Sequence, residues 1–488
     1  MTGPATHQLP LLTGSRRCLF ILEQAFTVLA LFIFSRALVF HIFGNTPGTG
    51  AASPVANGDG HAVISRPGML WIYLAIYGIT GLLTIGNWRQ ILYVFYREKF
   101  IALLLALAAL SSLWSVVPLE TLAKFIAMSG CTVFAYYFAS RYSPLQQLRL
   151  MAAVLALVMI ASFATAILYP DIGTMQGIHQ GLWRGAFTHK NMLGTTIPLA
   201  SISFFLLAAS SRGYTFVYWT GFCLALILLI LSCSKSALAS YCVIFSTLAL
   251  YLICKKQHKL GLIALASVII AAGSFCLQYM FDIFPPIVLP EIAAAVAELQ
   301  EGKEWFNFER ILATAQAGAP MSAELDTGQG RLTLWALIGE KIAERPWLGY
   351  GLGGFWLGED GPSGSIWEAM PWQPPSGHNG LLDLCLHLGV IGLGLFLVSF
   401  CIAGYKLIKP LINVPMDPVK LFAPTLLAYV ILANIGESDL FSANYILWIC
   451  FVASVFSSRL HTTPLSGTKL VPDDGIAYHS QLPRHAPG

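Results

Sequence analysis

This chain predicts an all-α polytopic membrane protein of about twelve transmembrane helices, and three observations carry the prediction. Of its 488 residues, 56% are hydrophobic and only 11% are charged, whereas soluble globular chains carry roughly 25% charged residues. Apolar runs of about 20 residues, the length that spans a bilayer, recur along the whole sequence. The short loops between them fall into two sets, one rich in Lys and Arg and one nearly devoid of them. A transmembrane barrel would show alternating segments of about ten residues instead.

Taken in order, the runs place helices at 18–43, 67–87, 99–116, 121–140, 147–169, 192–211, 214–232, 236–254, 259–282, 379–405, 418–436 and 439–458. With the N-terminus in the cytoplasm, the cytoplasmic stretches hold Arg16 and Arg17, Arg89, Arg97 and Lys99, and Arg141 and Arg149. They continue with Arg212, with Lys255, Lys256 and Lys259, with Lys406, Lys409 and Lys420, and with Arg459. The short external loops hold only Arg66, Arg184, Lys190 and Lys235. The positive-inside rule selects this orientation, and its agreement from end to end favours an even number of crossings. Arg16 and Arg17 precede a long apolar run with no small-residue cleavage site, so the start reads as a first membrane helix.

Four regions follow: helices 1–9 over 1–282, an external loop over 283–378, helices 10–12 over 379–458, and a disordered cytoplasmic tail over 459–488. The loop opens with Pro285, Pro286 and Pro290 and then carries an amphipathic stretch from Gly330 to about Glu344. A connection of this length without function is uncommon, so it reads as a lid or platform over a membrane site. The Gly- and Pro-rich stretch 44–66 reads as a connector. A net charge of +4 gives no case for a nucleic-acid partner. The ten cysteines are scattered, without the paired spacing of a metal site, and read as small apolar filler.

Five polar clusters fall on the external side. Arg184, His189, Lys190 and Asn191 lie at the start of the sixth helix, where free N–H groups and the helix dipole already favour an anion. Arg184 there could offer a bidentate fork. Ser232-Cys233-Ser234-Lys235-Ser236 joins two helices with almost no loop, and a cation at that boundary is costly unless it binds something. Arg331 opens the amphipathic stretch. His378 and Asn379 open the tenth helix, with Asn379, Asp383 and His387 spaced to share a face, and His378 suits proton transfer near neutral pH. Asn434-Ile435-Gly436-Glu437-Ser438-Asp439 puts two carboxylates in a further tight turn. These ligands do not assemble a metal site. Trp114, in a sixth external stretch, fits a sugar-stacking ring and an interfacial aromatic belt equally well and is given no catalytic role.

Six segments occur in a familiar order: Arg184 to Gly194, Ser234-Lys235-Ser236, Gly330 to Trp335, Arg345-Pro346-Trp347-Leu348-Gly349-Tyr350-Gly351, His378-Asn379 to Gly389, and Glu437-Ser438. Together they resemble the O-antigen ligase and polymerase superfamily, most nearly the ExoQ-like exopolysaccharide polymerases, in which a Phe-Thr-His-Lys-Asn run is familiar. The resemblance extends from about Leu113 to Phe451.

It implies a GT-C-like glycosyltransferase of the bacterial inner membrane, with both termini cytoplasmic and the active site periplasmic. The implied donor is an oligosaccharide on undecaprenyl pyrophosphate, and the acceptor a sugar hydroxyl. Neither a nucleotide sugar nor, in the ligases, a metal or other cofactor is expected. The carried-over roles make Arg184 and Arg331 phosphate ligands and His378 the base, with Glu437 in reserve. Many relatives have Arg where this chain has Lys235, which keeps the charge and loses the fork. The reading is polymerisation of exopolysaccharide repeat units. The alternatives are ligation of a glycan to lipid A core and, from a different class, transport of the lipid-linked unit. Chain-length regulators and export proteins are the expected partners.

Overall fold

The computed structural model describes residues 14–39, 42, 67–86, 88–175, 181–211, 213–283, 328–370, 372–413 and 415–460. The connector at 44–66, the prolines at 285, 286 and 290, Arg66, Arg212 and the tail from 461 lie outside the described residues. Fourteen helices carry the fold: α1 Gly14–Phe34, α2 Pro67–Ile85, α3 Trp88–Arg97, α4 Lys99–Leu110, α5 Pro118–Arg141, α6 Pro144–Leu168 and α7 Lys190–Ser210. They continue with α8 Thr215–Ser232, α9 Lys235–Cys254, α10 His258–Ile283, α11 Gly328–Glu344, α12 Gly380–Asn413, α13 Phe422–Gly436 and α14 Ile446–Leu460.

Among the described residues, nine helices are long and apolar enough to cross a membrane, and three shorter apolar helices, in α1, α4 and α14, make up the expected dozen. The chain is an all-α polytopic membrane protein. α7 is its hub: 89% of its apolar window is buried, so a helix apolar on nearly every side is what its place requires. Local signals set the ends. Ser143 caps α6 in a reciprocal box with Gln146, with Pro144 at the first helical position.

Several boundaries differ from expectation. α1 ends at Phe34, not near 43, because Arg36 and Leu38 take left-handed backbone, with φ of 64° and 60°. The last helix starts at Ile446 rather than 439, since the turn before it is held by side chains described below. α3 was not expected as a helix. It is amphipathic and runs between Trp88 and Arg97 with only Val94 buried. α12 runs to Asn413 but is broken at Gly389, where φ is 65° and ψ −172°. The chain from Pro346 to Gly351 fills the break. Tyr350 N donates to Leu386 O at 2.7 Å, Gly351 N to His387 O at 3.0 Å, and Val390 N to Pro346 O at 2.8 Å. Main-chain groups on both sides of the break thus find partners, as low-dielectric surroundings demand.

α11 is the amphipathic helix the sequence predicts. Its Leu334 and Ile338 are fully buried in a small second core with Tyr350, Phe355, Trp356 and Leu386. This platform rests on α12 and, through Trp114 Nε1 donating to Leu348 O at 3.3 Å, on the turn before α5. The turns of the platform end hold Lys235, His378 and Glu437, while Lys255 and Lys406 sit at or near the far ends of α9 and α12, and Arg141 closes α5. At that far end Arg141 forks onto Glu23, at 2.6 and 2.7 Å.

Candidate functional site

Four segments meet at the platform end: the residue closing α13, the loop entering α12, the start of α11 and the turn entering α9. Two glycines permit the approach. A Cβ on Gly194 of α7 would fall 2.5 Å from Ser234 Cβ, and one on Gly436 would fall 2.5 Å from Ser236 Cβ and 3.3 Å from Arg331 Nη1. Between α8 and α9 the chain reverses through Cys233, left-handed at φ 49°.

Glu437 is the centre. Its Oε1 accepts from Ser236 Oγ at 3.1 Å and from Arg331 Nη2 at 3.5 Å. Its Oε2 faces His378 Nδ1 at 3.8 Å. Arg331 Nη1 also donates to Gly436 O at 2.7 Å, and Gly380 N to Glu437 O at 3.0 Å. Burial pushes the Glu437 carboxyl up, but His378, Arg331 and His189 outweigh it and hold it below the usual carboxylate range. The site is thus an anion fixed among cationic or protonatable groups.

His378 has φ of 47°, a strained conformation for a residue with a side chain. Its neighbours impose it. Gly377 N donates to both oxygens of Asp383, at 3.1 and 3.0 Å, and Asn379 N donates to Ser438 Oγ at 3.0 Å. The ring lies 5.6 Å from that of Trp372, and its buried Nδ1 has no hydrogen bond.

The other expected residues are placed as follows. His189 caps α7, its Nδ1 accepting from Asn191 N at 3.2 Å. Lys190 is buried and Lys235 half-buried, each the first residue of its helix. Asn379 is a helix cap: its Oδ1 accepts from Leu381 N at 3.0 Å and Leu382 N at 3.2 Å. Asn379, Asp383 and His387 do not form one working face. Asp383 turns to Trp356 Nε1, at 2.8 Å, and His387 lies deeper, beside the break in α12. The Arg184 side chain binds its own loop. Nε donates to Ile172 O at 2.8 Å, Nη2 to Asp171 O at 3.2 Å and Nη1 to Thr188 O at 3.3 Å. Partial burial lowers its pKa. Among the described residues, no three His, Cys, Asp or Glu side chains gather as a metal site.

Sequence reading missed Arg36. This buried cation donates to Asn444 O at 3.3 Å, Ser442 Oγ at 2.9 Å and Ala443 O at 2.7 Å, and lies 4.6 Å from the Tyr445 ring centroid. It holds the 442–445 turn behind Glu437. Burial, then the Glu437 charge, push the Asp439 carboxyl up to about 7, against Arg36 and His378. The available signal was a lone cation within an apolar run, which is costly unless it has a task.

Residues 216–397 match the O-antigen ligase family model. That stretch holds Lys235, Arg331 and His378 but not His189 or Glu437. A Rickettsia conorii protein provisionally named a polysaccharide ligase is 39% identical over 89 residues, which cover 17% of this chain and 20% of that protein. A counterpart in Rickettsia prowazekii, named likewise, is 36% identical over 90 residues, 18% and 21% of the two chains. The chain therefore matches about a fifth of the length of these relatives. The likeness read from the motifs is upheld to this extent: residues 216–397 are similar to the O-antigen ligase family.

Proposed function

We propose that the protein moves a glycan from a polyprenyl pyrophosphate carrier, undecaprenyl pyrophosphate in bacteria, onto a sugar hydroxyl. The acceptor hydroxyl attacks the anomeric carbon, the C–O bond to the pyrophosphate breaks, and the lipid pyrophosphate leaves with the bonding pair. His378 takes the hydroxyl proton. Its Nδ1 faces Glu437, which fixes the ring and stabilises the imidazolium that forms, leaving Nε2 for the hydroxyl. Arg331 spends two of its five N–H donors on Gly436 and Glu437. The others are available for the charge growing on the leaving pyrophosphate, where prearranged donors act most strongly. His189, Lys190, Asn191 and Lys235 complete a cationic rim. Arg184 supports the rim by fixing its loop.

The observation that carries this reading is the convergence of Arg331 and His378 on Glu437, at 3.5 and 3.8 Å, from three distant segments. The basic far ends of the helices support placing that end in the cytoplasm and the site in the periplasm of an inner-membrane protein. Polymerisation of repeat units is the favoured outcome. The family match favours ligation to lipid A core as the second reading. The test is purified protein in proteoliposomes with a lipid-linked repeat unit. Lengthened lipid-linked product, lost in His378→Ala, supports polymerisation. Product only when lipid A core is supplied supports ligation, and no transfer with either acceptor sinks the proposal.

A further inference from the structure

At the basic end of the bundle the chain passes through α3, whose residues fall into three strips, since positions three and four apart share a helix face. The inner strip is Ile91, Val94 and Phe95. Val94 is buried, Ile91 and Phe95 pack against the core, and the Phe95 ring meets that of Phe456 at 5.5 Å, edge to face. A second strip, Trp88, Leu92 and Tyr96, is exposed, Tyr96 at 80%. A third, Arg89, Tyr93 and Arg97, runs beside it and is also exposed, and the Arg89 guanidinium lies 5.5 Å from the Trp88 ring centroid. Lys99, exposed, follows as the first residue of α4. Residues 88–99 hold one acid, Glu98, which is buried and 3.4 Å from Lys406 Nζ of α12. That pair pins α3 to the bundle. α4 then rises about 18 Å, at 1.5 Å per residue, before Ser111 meets the platform, so α3 lies at the opposite end.

At ten residues α3 is about 15 Å long, too short to span a bilayer. Neither bulk phase suits its outer surface. Water leaves Trp88, Leu92 and Tyr96 without apolar cover, and hydrocarbon makes Arg89, Arg97 and Lys99 costly. The headgroup layer accommodates both, with the apolar strip toward the acyl chains and the basic strip toward the phosphates. We propose that α3 lies in the headgroup layer of the leaflet at the basic end and binds anionic phospholipid there. Three exposed cations without an exposed acid favour anionic over zwitterionic headgroups. A second copy of the chain is the poorer occupant, because pairing two such surfaces sets like charges against each other. The site is separate from the proposed glycan transfer and stands or falls apart from it.

The test is tryptophan fluorescence of the full chain in nanodiscs, with the signal of Trp88→Phe subtracted to isolate Trp88. Phosphatidylglycerol or phosphatidylcholine, brominated on the upper part of the acyl chains, is included at equal content. Stronger quenching of Trp88 by the phosphatidylglycerol is expected. Arg89→Gln and Lys99→Gln should each lower that preference by about fivefold, the worth of one charge at an anionic surface. Arg89→Lys should keep the preference, and high salt should weaken it. Equal quenching by the two lipids in the wild type overturns the anionic site, as does an unchanged preference in both Arg89→Gln and Lys99→Gln. Quenching of Trp88 by aqueous iodide but by neither lipid overturns the placement in the headgroup layer. Relief of the lipid quenching by inorganic phosphate, or by loading two copies of the chain into each nanodisc, assigns the surface to a soluble anion or to a second copy and overturns the proposal.

Discussion

Arg331 Nη1 holds the Gly436 carbonyl at 2.7 Å while its Nη2 reaches Glu437 at 3.5 Å, so one guanidinium latches the first turn of α11 to the last of α13. The platform is thereby fastened to the membrane bundle at the point where the reaction is proposed. Arg331→Ala should reduce transfer by about 10²-fold, the cost of removing one prearranged donor. Arg331→Lys keeps the charge without the fork and should recover only part of it. Rates of product formation in proteoliposomes check both.

His378→Ala should lower transfer by about 10²–10⁴-fold, the usual worth of a positioned base. Glu437→Gln should cost less, because it removes the group that orients the ring and leaves the ring itself. Equal losses in kcat for the two variants would contradict this ordering.

The packing of Gly436 predicts a steric effect without any change of charge. Gly436→Ala forces its Cβ against Ser236 and Arg331 and should abolish most transfer. Gly394→Ala, in α12, meets nothing within 4 Å and should leave activity intact. It should stabilise the helix by about 0.5–1 kcal/mol. Thermal melting and transfer assays on both variants make the comparison.

Asp439 predicts a pH dependence of stability. Its folded carboxyl titrates at about 7 against an ordinary value of 3.8. Between these pH values the folded chain holds a proton that the unfolded chain has released, so this residue's contribution to stability falls as pH rises from about 4 to 7. Asp439→Asn should flatten that part of the melting profile. Glu437 has the opposite sign: its lowered pKa favours the fold above the ordinary carboxylate range, a contribution lost on acidification. An unchanged slope in Asp439→Asn would contradict the assignment.

Transfer is also expected to survive prior treatment with EDTA. Restoration by added Mg²⁺ or Mn²⁺ of activity lost on chelation would show that an ion takes part.

The membrane helices were legible because burial in lipid demands long apolar runs, and these can be counted without knowing the contacts. The turns holding Ser236, Arg331, His378 and Glu437 were legible because charge and histidine are rare and costly at such boundaries. What escaped depended on partners distant in sequence. The break at Gly389 needs Pro346 and Tyr350 to receive its main-chain groups, and no local pattern announces that. Arg36 takes its meaning from carbonyls about 400 residues later. Asn379 looked like a ligand, but with Leu381 and Leu382 two and three positions on, its side chain does better as a cap. α3 is too short to span a bilayer and was read as part of a basic loop.

The partners of Glu437 have a consequence for biogenesis. Ser236, Arg331 and His378 precede it in the chain, and α14 follows it. During synthesis none of these groups can be set in place until the penultimate span has entered the bilayer. On the proposed mechanism, a chain released before α13 is complete lacks the carboxylate on which Arg331 and His378 converge.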